Sequence, residues 1–76
     1  MIFETVRDAF VEQLELDPET VTMDSKLVED LKTDSVDVIE IVMNLEGEFG
    51  MEFAFDDLSQ LVTVGDVVRY IEEHKA

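Results

Sequence analysis

Cysteine is absent from the 76-residue chain, and with it any disulfide, thiolate metal site or thiol nucleophile built from the protein's own side chains. Proline occurs once, at Pro18, and glycine three times, at Gly47, Gly50 and Gly65, so no Gly/Pro-rich linker divides the sequence. No apolar run approaches the roughly 20 residues a helix needs to cross a bilayer, which argues against membrane insertion. Basic residues are scarce: five Lys and Arg against twenty Asp and Glu give a formal charge of −15. Such a surface repels phosphate backbones and anionic lipids and attracts basic protein patches, so nucleic acid is not an expected partner. The same charge argues for a monomer.

What is present is enough apolar material to fold. Hydrophobic residues make up 46% of the chain, too many for a disordered acidic tail. The length predicts a single domain over residues 1–76, close to the lower limit for one apolar core. The start, Met1-Ile2-Phe3-Glu4, lacks the basic opening of a signal or transit peptide, which predicts a cytoplasmic protein.

The pattern along the chain is helical throughout. Phe3, Val6, Phe10 and Leu14 share one face of a helix over residues 2–15, ended by Asp17-Pro18-Glu19. A long loop follows, with Val21, Met23, Leu27, Val28 and Leu31 expected to pin it across a bundle. A second helix begins at Asp34 or Ser35, where Asp34 and Asp37 have capping-box spacing, and runs to about Gly50. A short helix from Asp56-Asp57 to about Leu61 precedes a last helix capped by Thr63, with Val64, Val67, Val68 and Ile71 facing inward. No strand alternation stands out. The expected fold is all-α: a small bundle of three longer helices and one short one, with a long loop after the first. Tyr70 and Phe3, Phe10, Phe49, Phe53 and Phe55 read mainly as core.

Ser35 is the residue the pattern singles out. It stands where the loop becomes the second helix, and backbone N–H groups there lack intrahelical partners while the helix dipole favours negative charge. A phosphate attached at this hydroxyl would be electrostatically favoured. The one histidine, His74, suits the end of the last helix, so no base stands by Ser35 in the sequence, and a hydrolase reading is weak. The plain alternative is that Ser35 is only a helix-start residue. No acidic stretch follows a calcium-loop spacing, so no metal site is expected.

The second helix has two apolar faces. At about 100° per residue, Val38, Ile41, Val42, Leu45 and Phe49 form one stripe, while Val36, Ile39 and Met43 form another roughly 140° away. One core does not bury both. Asp37, Glu40, Glu46 and Glu48 flank the second strip, and nine acids with no Lys or Arg occupy Thr33 to Val68. Carboxylates that bring a partner in and apolar contacts that set the fit are the ordinary parts of a recognition surface. The alternative is a solvated charged face with incidental apolar exposure at Val36 and Met43, Ile39 being partly buried by the long loop.

Leu27-Val28-Glu29-Asp30-Leu31, Asp34-Ser35-Val36-Asp37, the acidic run Glu40-Ile41-Val42-Met43-Asn44-Leu45-Glu46 and the ending Thr63-Val64-Gly65-Asp66-Val67-Val68-Arg69-Tyr70-Ile71 together resemble an acyl carrier protein of the dissociated, type II fatty acid synthase kind. The resemblance covers essentially the whole chain. It departs at Val36, where leucine is usual, at Lys32-Thr33, at Gly47, and at Phe53-Ala54-Phe55, which lacks a proline. It implies that Ser35, between Asp34 and Val36, receives 4′-phosphopantetheine from coenzyme A through a phosphopantetheinyl transferase. It implies further that acyl chains ride on the arm as thioesters between fatty acid synthase enzymes whose basic patches meet Asp37, Ile39, Glu40, Met43 and Glu46. The protein would then be a shuttle and not an enzyme. The small side chains of Val42, Ala54, Val64 and Val68 suggest room for an acyl chain between helices. A specialised carrier of a polyketide or related pathway, or an unmodified acidic adaptor for a basic protein, stands as the alternative. Only a carrier needs the Ser35 hydroxyl.

Overall fold

The computed structural model describes residues 2–75. Four α-helices run in the order α1 (Ile2–Leu14), α2 (Ser35–Phe49), α3 (Phe55–Leu58) and α4 (Val64–His74). A 3-10 turn at Pro18–Thr20 lies in the long connection after α1. This is the all-α bundle of three longer helices and one short helix that the sequence predicts.

The helices begin and end for local reasons. α1 stops at Leu14, one residue earlier than its apolar spacing suggests, because Glu15 turns left-handed (φ 55°) and Leu16 N–H reaches back to the Val11 carbonyl at 3.1 Å. Asp17 then accepts the Glu19 N–H at 3.0 Å and opens the 3-10 turn. α2 ends at Gly50, whose φ of 62° is the left-handed conformation that a residue without Cβ adopts at least cost. α3 spans one turn only, Phe55–Leu58, shorter than the 56–61 expected, since Ala54 gives no side-chain cap and Ser59-Gln60 continue as a turn. α4 opens on a full capping box, with Asp66 N–H donating to Thr63 Oγ1 at 3.1 Å and Thr63 N–H to Asp66 Oδ2 at 3.1 Å.

Val6 and Phe10 of α1, Ile41, Val42 and Leu45 of α2, and Val64, Val67, Val68 and Ile71 of α4 form the buried centre, with α1 packed against both α2 and α4. Burying side chains of this size contributes about 1.5–3 kcal/mol each before entropy is counted. The long loop adds Val21, Leu27 and Leu31 to that core, but Met23 and Val28 of the five expected anchors face solvent. Backbone bonds hold it instead: Leu27 N–H to Val62 O (2.9 Å), Val64 N–H to Ser25 O (3.0 Å) and Gly65 N–H to Met23 O (2.8 Å), around an isolated antiparallel bridge between Lys26 and Thr63. Of the aromatics, Phe10 and Phe53 are buried and Phe3, Phe49 and Tyr70 half-buried, whereas Phe55 lies outside the core. Its place at the first position of a one-turn helix gives it no facing layer to enter.

Candidate functional site

The loop delivers Ser35 to the surface on a fixed backbone. Thr33 is buried, its hydroxyl donating to the Leu27 carbonyl at 2.8 Å and its N–H to the same oxygen at 3.0 Å. At the next residue, Asp34 caps α2: its carboxylate accepts the Asp37 N–H at 2.9 Å, and Asp37 accepts the Asp34 N–H at 3.4 Å. Ser35 follows as the first helical residue and is exposed.

Three serines occur in the chain, and their hydroxyls differ in availability. Ser25 is buried, with its Oγ accepting the Thr22 N–H at 2.9 Å. The Ser59 hydroxyl leans toward the Asp56 carbonyl at 3.4 Å. The Ser35 hydroxyl makes no hydrogen bond among the described residues, and neither do the N–H groups of Ser35 and Val36 beside it. An unpaired first-turn N–H pair with the positive end of a fifteen-residue helix suits an anionic substituent. The residues therefore fit a phosphodiester at Ser35 Oγ. No side chain among the described residues is hydrogen-bonded to the hydroxyl as its base, and the one histidine is engaged elsewhere: His74 sits on the last turn of α4, stacked on Tyr70 at 4.0 Å with Nδ1 2.9 Å from the Tyr70 carbonyl. No group of side chains that could hold a metal ion occurs among the described residues.

The second apolar strip of α2 is exposed, as its wheel position requires. Val36 is 59% exposed, Ile39 40% and Met43 62%. Ile39 is the least exposed of the three. The carboxylates around the strip have structural partners that sequence alone did not reveal. Glu40 accepts a hydrogen bond from Gln13 of α1 at 2.7 Å. Half-buried Glu46 accepts the Phe53 N–H at 2.8 Å and so ties the connection before α3 to α2. Asp37 takes part in the cap just described. A surface made of these acids is thus held in place by the fold.

Tyr70 is the organising residue that the sequence reading missed. Its ring stacks on Phe53 at 4.8 Å, its oxygen accepts the Ala54 N–H at 3.0 Å, and its hydroxyl donates to Asp57 at 2.9 Å. The Ala54 N–H favours the phenolate, but desolvation and the Asp57 carboxylate outweigh it and raise the phenol's pKa. The four-residue spacing of Tyr70 and His74 hints at their stack; nothing in the sequence marks the contact with Asp57. At the start of α4, the Val62 N–H holds the Asp66 carboxyl below its usual pKa, helped by the Thr63 N–H and by Arg69 against partial desolvation.

None of the small side chains expected to leave room for an acyl chain lines either of two surface clefts. Val42, Val64 and Val68 are closely buried and Ala54 is exposed. Two surface clefts of about 400 and 350 Å³ lie elsewhere, one between α1 and α2 over Ala9 and Leu45, the other between α3 and α4 beside Tyr70.

With this geometry in view, the comparisons with known proteins are consistent. A protein-family model described as a phosphopantetheine attachment site matches residues 4–71. An acyl carrier protein of Campylobacter curvus is 50% identical over 72 residues, covering 95% of this chain and 94% of its own. One from Chlamydia trachomatis is 49% identical over 70 residues, covering 92% and 91%. The solved structure of the acyl carrier protein from Enterococcus faecalis superposes with a TM-score of 0.82 at 31% identity, covering 97% of this chain and 94% of that one.

Proposed function

The chain belongs to the acyl carrier protein family, and from that premise we propose that Ser35 is where its 4′-phosphopantetheine arm is attached. The protein is a carrier and not a catalyst, of the kind that passes acyl intermediates between the enzymes of fatty acid biosynthesis. Bound at this position, the arm supplies a terminal thiol for thioesters, which is how a chain without cysteine takes part in thiol chemistry.

One observation carries the choice of Ser35: of three serine hydroxyls, it alone is exposed, unbonded and seated at the start of a long helix. Loading forms the phosphodiester at Oγ as the pyrophosphate bond of coenzyme A breaks, with the adenosine bisphosphate half leaving and the hydroxyl proton passing to a base. No side chain among the described residues is hydrogen-bonded to Oγ, so the loading enzyme supplies the base. Asp34 and Thr33 hold the backbone around Ser35, keeping the hydroxyl at one place on the surface. Val36, Ile39 and Met43, with Asp37, Glu40 and Glu46 around them, form the face on which the transferase and the synthase enzymes dock through basic patches. Charge steers these encounters, and contacts of this kind part quickly, as a shuttle requires. A single acyl-carrier domain over residues 1–76, monomeric and cytoplasmic, agrees with the charge and with the matched span. No described helix is long and apolar enough to cross a membrane.

The test is intact-mass spectrometry after incubation with coenzyme A and a phosphopantetheinyl transferase active on another carrier. The wild type should gain one phosphopantetheine and Ser35→Ala none, with both keeping the same helical circular dichroism because Asp34 still caps α2. A folded wild type that gains no mass would favour the unmodified acidic adaptor.

A further inference from the structure

Phe55 is 80% exposed, the most exposed large hydrophobic side chain among the described residues. Its neighbour Phe53 shows how the same fold treats a structural aromatic: 8% exposed, with its ring stacked on Tyr70. Phe55 has no such role in the core. It opens α3 without being needed for a cap.

The backbone that carries it is nonetheless held from two sides. Glu46 of α2 accepts the Phe53 N–H, and Tyr70 of α4 accepts the Ala54 N–H while donating to Asp57. An exposed aromatic ring on a fixed backbone loses little freedom when a partner covers it. The Glu46 tether also locates the ring. Glu46 lies within about 60° of Ile39 and Met43 on the α2 wheel and about 16 Å along the axis from Ser35. Phe55, two residues beyond Phe53, is thereby carried to the Glu46 end of the helix that bears the exposed strip of Val36, Ile39 and Met43. An interface of ordinary size, about 800 Å² per partner, spans that length.

Charge selects the occupant. Glu52 and Asp56 beside the ring are exposed, and no Lys or Arg occurs from Thr33 to Val68. A second copy would bring another −15 to the same place. A basic protein surface fits instead. Among such partners, the enzyme that loads the arm must bring its catalytic groups to Ser35 Oγ itself, so it covers the surroundings of Ser35. An enzyme acting at the far end of the arm is under no such constraint.

We propose that Phe55 is an aromatic anchor for the loading enzyme, seated in an apolar pocket that Lys or Arg side chains border. This rests on the carrier reading above and adds a residue to it. The test is steady-state loading of apo-protein by the phosphopantetheinyl transferase that modifies the wild type, with the carrier concentration varied. Phe55→Ala should raise KM about tenfold or more, the scale of an interface hot spot, and leave kcat within about twofold. Phe55→Asp should be worse, Phe55→Tyr close to wild type, and the thermal midpoints of all three near the parent's because the ring contributes little to the core.

A KM for Phe55→Ala within about twofold of wild type, with Ser35→Ala still blocking loading, overturns the anchor and leaves the carrier reading standing. An unchanged KM with weaker protection of a long acyl chain would assign Phe55 to the cargo, and a wild-type dimer lost in Phe55→Asp would assign it to self-association; both overturn the proposal. A wild type that does not load at all removes the carrier reading together with the anchor.

Discussion

Gly47 and Gly65 both lie in helices, and replacing each by alanine should change stability in opposite directions. A Cβ built on Gly47 meets nothing within 4 Å. Gly47→Ala therefore removes an unfolded-state entropy cost without adding a contact, a gain of about 0.5–1 kcal/mol. A Cβ on Gly65 would stand 3.0 Å from the Met23 carbonyl oxygen and 3.3 Å from an Arg69 guanidinium nitrogen. Arg69 is flexible and moves away. The Met23 oxygen is backbone, and the Gly65 N–H itself holds it at 2.8 Å, so the loop has to give by a few tenths of an ångström against its own hydrogen bond. Overpacking of this kind costs about 1–3 kcal/mol, and the helix-propensity gain offsets less than about 1 of it. For a domain of this size each kcal/mol moves the melting midpoint by about 4–8 °C. Thermal or urea unfolding should place Gly47→Ala about 2–8 °C above the parent and Gly65→Ala below it, by about 4–16 °C for a net cost of about 1–2 kcal/mol. Gly65→Ala as stable as the parent would refute the claim that the loop is fastened at this point.

Three further outcomes follow from the same geometry. Tyr70→Phe leaves Asp57 without a donor and the Ala54 N–H without its acceptor, at a cost of about 1 kcal/mol, and hydrogen exchange should quicken at residues 53–58 while α1 is unchanged. Asp66→Asn should cost about 1 kcal/mol near neutral pH. Because folding lowers the Asp66 pKa below 3.8, its contribution is complete above that value and is lost as pH falls through the lower folded pKa. Urea titrations of wild type and variant should therefore converge at acid pH; a constant gap down to the acid limit would contradict the cause. Finally, the charge of −15 opposes compaction, so added salt or magnesium should raise the melting midpoint, and a midpoint indifferent to both would exclude self-repulsion as a significant cost.

The strongly periodic parts of the chain were legible before the structure. Ile41, Val42 and Leu45 go inward and Val36, Ile39 and Met43 outward because helical spacing leaves no other choice. The caps at Asp34 and Thr63 follow from side chains that bond within three residues. Placement of Ser35 was legible for the same reason: a local cap determines where α2 starts. What escaped were contacts between residues far apart in sequence. Glu46 with Phe53, Gln13 with Glu40 and Tyr70 with Asp57 depend on how helices are brought together, and composition carries no sign of them. Short elements were the other failure. One turn of helix has too few positions for periodicity, so Phe55 and Ala54 read as interior when they lie on the surface. The loop residues Met23 and Val28 failed similarly, since backbone bonds, not their side chains, fix the connection.

The central claim is that one hydroxyl, that of Ser35, carries the arm. The most direct measurement is tandem mass spectrometry of the loaded protein, cleaved into peptides that separate Ser25, Ser35 and Ser59. The account predicts the whole of the added phosphopantetheine on the peptide containing Ser35, with the other two serines unmodified. Modification at Ser25 or Ser59, or a loaded Ser35→Ala protein, would contradict it.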